Sequence, residues 1–384
     1  MKRMIFVLFC LGCIFFAKDL FAVDGVTDTE VKLGMVNAQT GPAAGLGKGM
    51  RTGAEAVIKE INNKGGINGR KINLLVADDG YEPDKAIDET VKMIEENKVF
   101  ALFGYVGTPT ANAVIPIVKE NKTPLVGLFT GAMTLRKPVI HEIINIRASY
   151  DDEPEMLVER FIKDTGAKKF AVFYQDDGFG MAVLSGTEKA LKKRGLEVAA
   201  KGTFQRNTTA VKAGLVAVME ANPDVVIMVG PYTPLSVFIK EAKAAGLKSQ
   251  LATVSFVGTD SLVKLTGNEG DGVVISQVVP FPEDLSLPVT KECSTLIAKH
   301  APDEKLGFVN FEGCITAKAM VLALEKVGKD LTRENLIKAF EDMKNADIGG
   351  VSFTMGPDDH QALDHVFLTQ IKGGKITQIS TIGK

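Results

Sequence analysis

The sequence predicts an α/β protein made of two doubly wound lobes, each a parallel sheet with helices on both faces, joined by three hinge crossovers. Three observations carry this. Short apolar runs alternate with longer amphipathic ones over residues 31–129, and the same alternation restarts at Pro154 and continues to residue 277. The remaining tail has too few elements for a third domain, so it must complete the other two. The 384 residues suit two domains of roughly 100–200 residues each.

In chain order, residues 31–36 read as a strand and 49–63 as a helix with Ala54, Val57, Ile58 and Ile61 on one face. A strand at 71–77 leads to a helix at 84–97, for which Pro83 is a suitable first-turn residue. Strand 99–103, helix 110–120 and strand 124–129 complete a βαβαβαβ run, which implies parallel pairing. The second run has helices at 154–165, 181–194, 210–221 and 235–245, the last ended by Gly246. Its strands fall at 169–174, 197–204, 224–229, 251–255 and 272–277. The tail adds helices at 288–300, 311–327 and 333–343, and strands at 351–353, 365–371 and 375–380, with Gly373-Gly374 turning the last hairpin. Crossings at 147–150, 278–280 and 349–350 would form the hinge. The expected division is 1–22 as a signal peptide, 23–148 plus 279–350 as one lobe, and 149–278 plus 351–384 as the other.

The first residues are expected to be removed. Lys2 and Arg3 precede an apolar run over residues 4–17, and Leu20-Phe21-Ala22 offers a small residue at the cut. The run is shorter than the ~20 residues of a membrane helix. A competing reading makes Cys13 a lipidated terminus. Cleavage after Ala22 removes Lys2, Arg3, Lys18 and Asp19, taking the net charge from −2 to −4. With no long basic run, nucleic acid is not an expected partner. An exported chain leaves Cys293 and Cys314 in an oxidising compartment, either bonded to each other or as two buried thiols.

Enzyme motifs fail on inspection. The glycines of residues 45–49 suggest a dinucleotide fingerprint, but Met50 stands where the third glycine belongs, and the preceding loop is too long. No nucleophile elbow occurs. His360 and His365 lie near Asp358, Asp359 and Asp364, yet their spacing is not that of a helical ligand pair, so solvated turn residues are expected and no metal or cofactor. Binding loops fare better. The segment Gly104-Tyr105-Val106-Gly107-Thr108-Pro109-Thr110 follows a strand and opens a helix, and Phe129-Thr130-Gly131-Ala132 repeats the arrangement. Parallel sheets bind ligands at the carboxyl ends of their strands, and free helix N–H groups attract anions. Two such loops converging would hold a carboxylate. Ordinary turns with Thr as a helix cap are the competing reading.

Longer stretches then narrow the field. Thr40-Gly41-Pro42, the segment Ile61-Asn62-Asn63-Lys64-Gly65-Gly66-Ile67-Asn68-Gly69-Arg70, Asp78-Asp79, Arg147-Ala148-Ser149-Tyr150, Tyr174-Gln175-Asp176-Asp177 and Ser255-Phe256-Val257-Gly258 follow in order. Together they resemble the branched-chain amino-acid-binding family, the type I periplasmic solute-binding proteins of ABC importers, from Val31 to the C-terminus. The resemblance implies a non-enzymatic clamp with its ligand between the lobes. By family position, Thr108 and the backbone of Val106 and Gly107 take the carboxylate, and Phe129, Thr130, Gly131 and Ala132 add contacts. Leu46 forms part of a side-chain wall. Phe179, Tyr232, Ser255 and Phe256 come from the second lobe, with Tyr150 at the hinge.

Two departures bear on the ligand. Leucine-type members place a glutamate near Ser255 to pair the α-ammonium group. Here Asp151, Asp177 or Glu153 must replace it, or the ligand lacks that group. The family's first-lobe disulfide is missing, with Tyr81 and Gly107 near its positions. Tyr105 is a further aromatic for the cleft, though each of these aromatics could equally be core. The expected ligand is a small carboxylate, a branched-chain or other apolar amino acid first, an aromatic or aliphatic acid or amide second. The expected partner is an ABC permease of the inner membrane, served by a periplasmic monomer; a sensory role is the alternative.

Overall fold

The computed structural model describes residues 23–383, so the expected signal peptide, with Cys10 and Cys13, lies outside the described residues. The first run builds β1 (Glu30–Asn37), α1 (Ala44–Asn63), β2 (Lys71–Asp78), α2 (Pro83–Val91), β3 (Ala101–Phe103), α3 (Thr108–Glu120), β4 (Leu125–Val126) and β5 (Ile143–Ile144). Its sheet has the order β2-β1-β3-β4-β5, parallel throughout. The second run builds α4 (Asp152–Thr165), β6 (Phe170–Gln175), α5 (Gly178–Lys192), β7 (Val198–Phe204), α6 (Lys212–Glu220), β8 (Val225–Val229), α7 (Tyr232–Ala244), β9 (Gln250–Thr253), α8 (Thr259–Thr266) and β10 (Val274–Gln277). The tail supplies α9 (Pro288–His300), α10 (Phe308–Val327), α11 (Arg333–Glu341), the short pair β11 (Ala346–Asp347) and β12 (Ser352–Phe353), and the hairpin β13 (Phe367–Lys372) and β14 (Lys375–Ile379). The second sheet runs β14-β13-β10-β9-β8-β6-β7, parallel except for β13 and β14 at one edge. Fully apolar β8 has every residue buried, as expected of a strand covered on both faces.

Among the glycines of residues 45–49, Gly49 serves helix packing, since a Cβ there would lie 2.6 Å from the Val309 side chain of α10. α1 lies against α10 so closely that a Cβ on Gly53 would come within 1.9 Å of the Asn310 carbonyl, and one on Gly313 within 2.3 Å of the Met50 carbonyl. On Gly47 a Cβ would meet the Ala38 carbonyl at 2.0 Å. Cys293 on α9 and Cys314 on α10 form a disulfide with their Cα atoms 6.1 Å apart, which decides between the two readings of that pair.

The third crossover lies elsewhere than expected. Gly349 and Gly350 turn the β11–β12 pair, where both donate N–H to the Asp347 carboxylate. The chain then stays on the first lobe: Gln361 pairs with Asn145 beside β5, and Ala362 and Leu363 donate to the carbonyls of Asn145 and Ile146. The crossing follows Leu363, so residues 351–363 belong with the first sheet and not the second. A glycine pair permits a hairpin as readily as a hinge, and the sequence does not separate the two. His360 is also corrected. It is buried, with Nδ1 against the Ile143 carbonyl and Nε2 beside Glu341, and not a solvated turn residue. His365 is exposed beside Asp364. Among the described residues no helix is long and apolar enough to cross a membrane.

Candidate functional site

Both sheets reverse their winding at one point: between β1 and β3 in the first, and between β6 and β8 in the second. Crevices form where neighbouring crossovers leave on opposite faces, at the carboxyl ends of those strands. The first turns of α1 and α3, which follow β1 and β3, present Gly45, Leu46 and Thr108. From the other lobe, the N-cap of α5 presents Asp177, and the first turns of α5 and α7, which follow β6 and β8, present Phe179 and Tyr232. The two crevices face each other, and the lobes are closed.

Direct bonds cross the interface. The Gly45 N–H donates to the Tyr232 hydroxyl at 2.8 Å, and the Thr233 hydroxyl donates to the Pro42 carbonyl at 2.8 Å. At the opposite rim Arg206 reaches Glu82 at 2.8 Å, while Asn207 donates to Glu82 and to the Gly80 carbonyl. Burial alone would raise the Glu82 carboxyl, but the bonds from Arg206 and Asn207 outweigh it and hold it below its ordinary value. Phe308 donates its N–H to Asp260, tying α10 to α8.

Between these rims the first-lobe loops converge. The hydroxyls of Thr108 and Thr130 meet at 2.6 Å, both buried. Gly107 has φ +101°, and a Cβ there would lie 2.2 Å from the Tyr81 ring, so only glycine fits. Val106 bridges Phe129, and Gly107 donates to the Phe129 carbonyl. Tyr150 donates its N–H to the Gly131 carbonyl. Arg136 supports this loop from behind, donating to the carbonyls of Ala132, Thr130 and Arg147.

Phe256 fills the space between the lobes. Its ring centroid lies 4.4 Å from Phe179, 5.4 Å from Phe129 and 6.0 Å from Tyr81, and Tyr150 packs on Phe179 at 5.4 Å. Leu46 is buried beneath Gly258, the residue that closes the turn Ser255–Val257. This aromatic plug leaves a small cavity lined by Phe129, Ser255, Gln277, Phe308 and Glu312. A larger hollow of about 400 Å³ opens at the mouth, lined by Lys48, Asp260 and Lys264 from both lobes.

Beside the plug lies a buried charge cluster. The Arg147 guanidinium stands 4.6 Å over the Phe129 ring, 3.4 Å from Glu153 and 3.5 Å from Glu312, and donates to the Ser255 hydroxyl. Glu153 accepts from the Ser255 N–H and from the hydroxyls of Ser255 and Ser276. Burial raises the Glu312 carboxyl to about 7 despite Arg147.

Of the expected residues, Leu46, Val106, Gly107, Thr108, Phe129, Thr130, Gly131, Ala132, Tyr150, Phe179, Tyr232, Ser255 and Phe256 gather at the closed interface or in the loops beneath it. Two do not. Asp151 turns outward and pairs with Lys189 at 2.8 Å, because its position at the start of α4 faces α5 and solvent. Tyr105 points into the first lobe, where its hydroxyl meets Thr90 at 2.8 Å. Asp177 caps α5, accepting from the Phe179 N–H, which leaves it structural. Glu312, Arg147 and Phe308 escaped the sequence reading as site residues. A lone glutamate inside the apolar face of α10 was the available signal, since a buried carboxylate requires a partner.

Comparison with known proteins gives this arrangement a family. Residues 30–375 match the family model described as periplasmic binding protein. The chain is 27% identical over 237 residues to the Leu/Ile/Val-binding protein homolog 7 of Brucella suis, spanning 60% of this chain but only 59% of that relative. Among solved structures, a possible leucine/isoleucine/valine-binding protein from Rhodopirellula baltica is 34% identical with a TM-score of 0.88, covering 94% of this chain and 98% of that one. A fatty acid ABC transporter substrate-binding protein from Thermomonospora curvata is 25% identical with a TM-score of 0.84, covering 93% and 92%. Paired parallel sheets, facing switch-point crevices and a family match over most of the length agree, and the chain belongs to the periplasmic binding protein family, whose members bind solutes and are not enzymes.

Proposed function

We propose that this protein captures a small carboxylate in the periplasm by hinge closure and delivers it to an ABC permease in the inner membrane, acting as a monomer. The observation that carries the reading is the meeting of Thr108 and Thr130 hydroxyls at 2.6 Å directly under the opposing lobe. Two hydroxyls at loop ends, with backbone N–H groups of the α3 start beside them, form a receptor for a carboxylate. Phe129, Phe179 and Phe256 suit an apolar tail, and an apolar amino acid is the first choice. A simple aliphatic or aromatic acid is the second, favoured by the neutral Ser255.

Closure binds the ligand because contacts such as Tyr232 to Gly45 exist only when the lobes meet. A ligand shifts the open–closed equilibrium only through its extra contacts in the closed form. Phe256 must move aside or the lobes must part for a ligand to reach Thr108. The test is calorimetric titration of refolded protein with leucine, valine, phenylalanine and their deaminated acids, alongside small-angle scattering. Saturable binding with a smaller radius of gyration supports the reading. Absence of binding across the panel would remove it.

A further inference from the structure

Phe256 is fixed at both ends of its turn. The Glu153 carboxylate accepts from the Ser255 N–H at 2.8 Å and from the Ser255 hydroxyl at 3.0 Å. Gly258 ends the turn at φ +76°, and a Cβ there would lie 2.6 Å from the Leu46 side chain of the first lobe. The Phe256 ring is fully buried, with its centroid 4.4 Å from that of Phe179, 5.4 Å from Phe129 and 6.0 Å from Tyr81. None of these three rings is free to retreat, because each has a further partner. Phe129 lies under the Arg147 guanidinium at 4.6 Å, and Phe179 packs on Tyr150 at 5.4 Å. Tyr81 sits against Gly107, and its hydroxyl accepts from Gln175 of the second lobe at 3.2 Å.

Carbon atoms in contact stand about 3.5–4 Å apart, so a hydrocarbon chain lying between two rings needs them roughly 7–8 Å apart. Phe256 stands closer than that to both Phe179 and Phe129. The cavity left beside it measures about 10 Å³, enough for roughly one water and not for a branched tail. The bonds across the cleft, Tyr232 with Gly45 and Arg206 with Glu82, are made at this spacing, so widening it gives them up. We propose that Phe256 is a size gate: it occupies the space an apolar tail of the solute would fill, so the closed clamp retains solutes with a short tail, on the scale of propionate or alanine, and is held partly open by branched or aromatic ones. The proposal rests on the solute-capture reading and deepens it by setting the length of the tail, and it applies to either head group.

The experiment uses two pairs matched in head group, L-alanine with L-leucine and propionate with 4-methylpentanoate. Affinities are measured by calorimetry on refolded wild type, Phe256→Leu and Phe256→Ala, and closure by small-angle scattering. Within the pair whose head group it accepts, wild type should bind the short member at least about tenfold more tightly than the long one. The long member should also leave a larger radius of gyration than the short one. Phe256→Ala should reverse the order, gaining at least about tenfold for the long member, with Phe256→Leu between. The wild-type order and the leucine variant decide the matter even if the alanine variant does not fold. A wild type that binds the long member as tightly as the short one, or an order that survives the substitutions, overturns the proposal and leaves the capture reading standing. If wild type binds none of the four solutes, both fall.

Discussion

The Tyr232 hydroxyl accepts the backbone N–H of Gly45 at 2.8 Å, so the first turn of α7 in one lobe is bonded to the first turn of α1 in the other. The bond exists only in the closed form, which makes it a direct contribution to closure. Tyr232→Phe removes it while keeping the ring. The expected outcome is an affinity loss of about 5–10-fold, corresponding to roughly 1 kcal/mol for one hydrogen bond, and a larger radius of gyration for the unliganded protein by small-angle scattering.

Thr108→Ala deletes one of the two hydroxyls that meet in the crevice. Both are buried, and the remaining Thr130 hydroxyl still bonds to the Ala132 N–H, so the loop should hold. Binding of the preferred carboxylate should weaken about tenfold, measured by calorimetry, with an unchanged far-ultraviolet spectrum. Unchanged affinity would remove Thr108 from the site.

Stability should fall as pH rises from about 4.5 to about 7. Burial lifts Asp79 from its ordinary 3.8 to about 7, and lifts Glu312 from 4.5 to about 7. The unfolded chain releases these protons near the ordinary values, whereas the folded chain keeps them until about 7. Within that window the folded state therefore binds more protons, and raising the pH favours unfolding. Asp79→Asn and Glu312→Gln should each flatten the decline in melting temperature by several degrees across the window. Glu60 acts lower down: Lys299 and His300 hold it at about 2, so its contribution is lost only as pH drops below about 4.5.

The Cys293–Cys314 bond closes a loop of 21 residues between α9 and α10. Restricting the unfolded chain over that length contributes about 3 kcal/mol. The Cys293→Ala/Cys314→Ala double variant should lose roughly that amount in urea denaturation, and reductant should move wild type to the same midpoint. A wild type insensitive to reductant would show the bond to be absent in solution.

Much of this was legible from local pattern. The alternation that predicts β1 to α3 survives as parallel strands because a strand buried on both faces must be apolar along its length, as β8 is. The Gly107-Thr108 and Thr130-Gly131 loops were legible because Gly and a small hydroxyl residue at a strand end are local signals. Residues 251–255 were expected to be strand throughout, yet β9 stops at Thr253 and Ser255 begins a tight turn that carries Phe256 into the cleft. Local propensity favours extension there, and the packing of Phe256 on Phe179 and Phe129 overrides it.

By itself the sequence determined the paired α/β architecture and the loops that carry the hydroxyls, because helix and strand periodicity and turn chemistry act between near neighbours in the chain. Only the tertiary structure decided which charges meet. Arg147, Glu153, Ser255 and Glu312 come from distant parts of the chain and share one buried cluster, and Asp151, adjacent to the same segment, turns away to Lys189. Burial and long-range proximity set the state of a carboxylate, and neither is encoded in spacing along the chain.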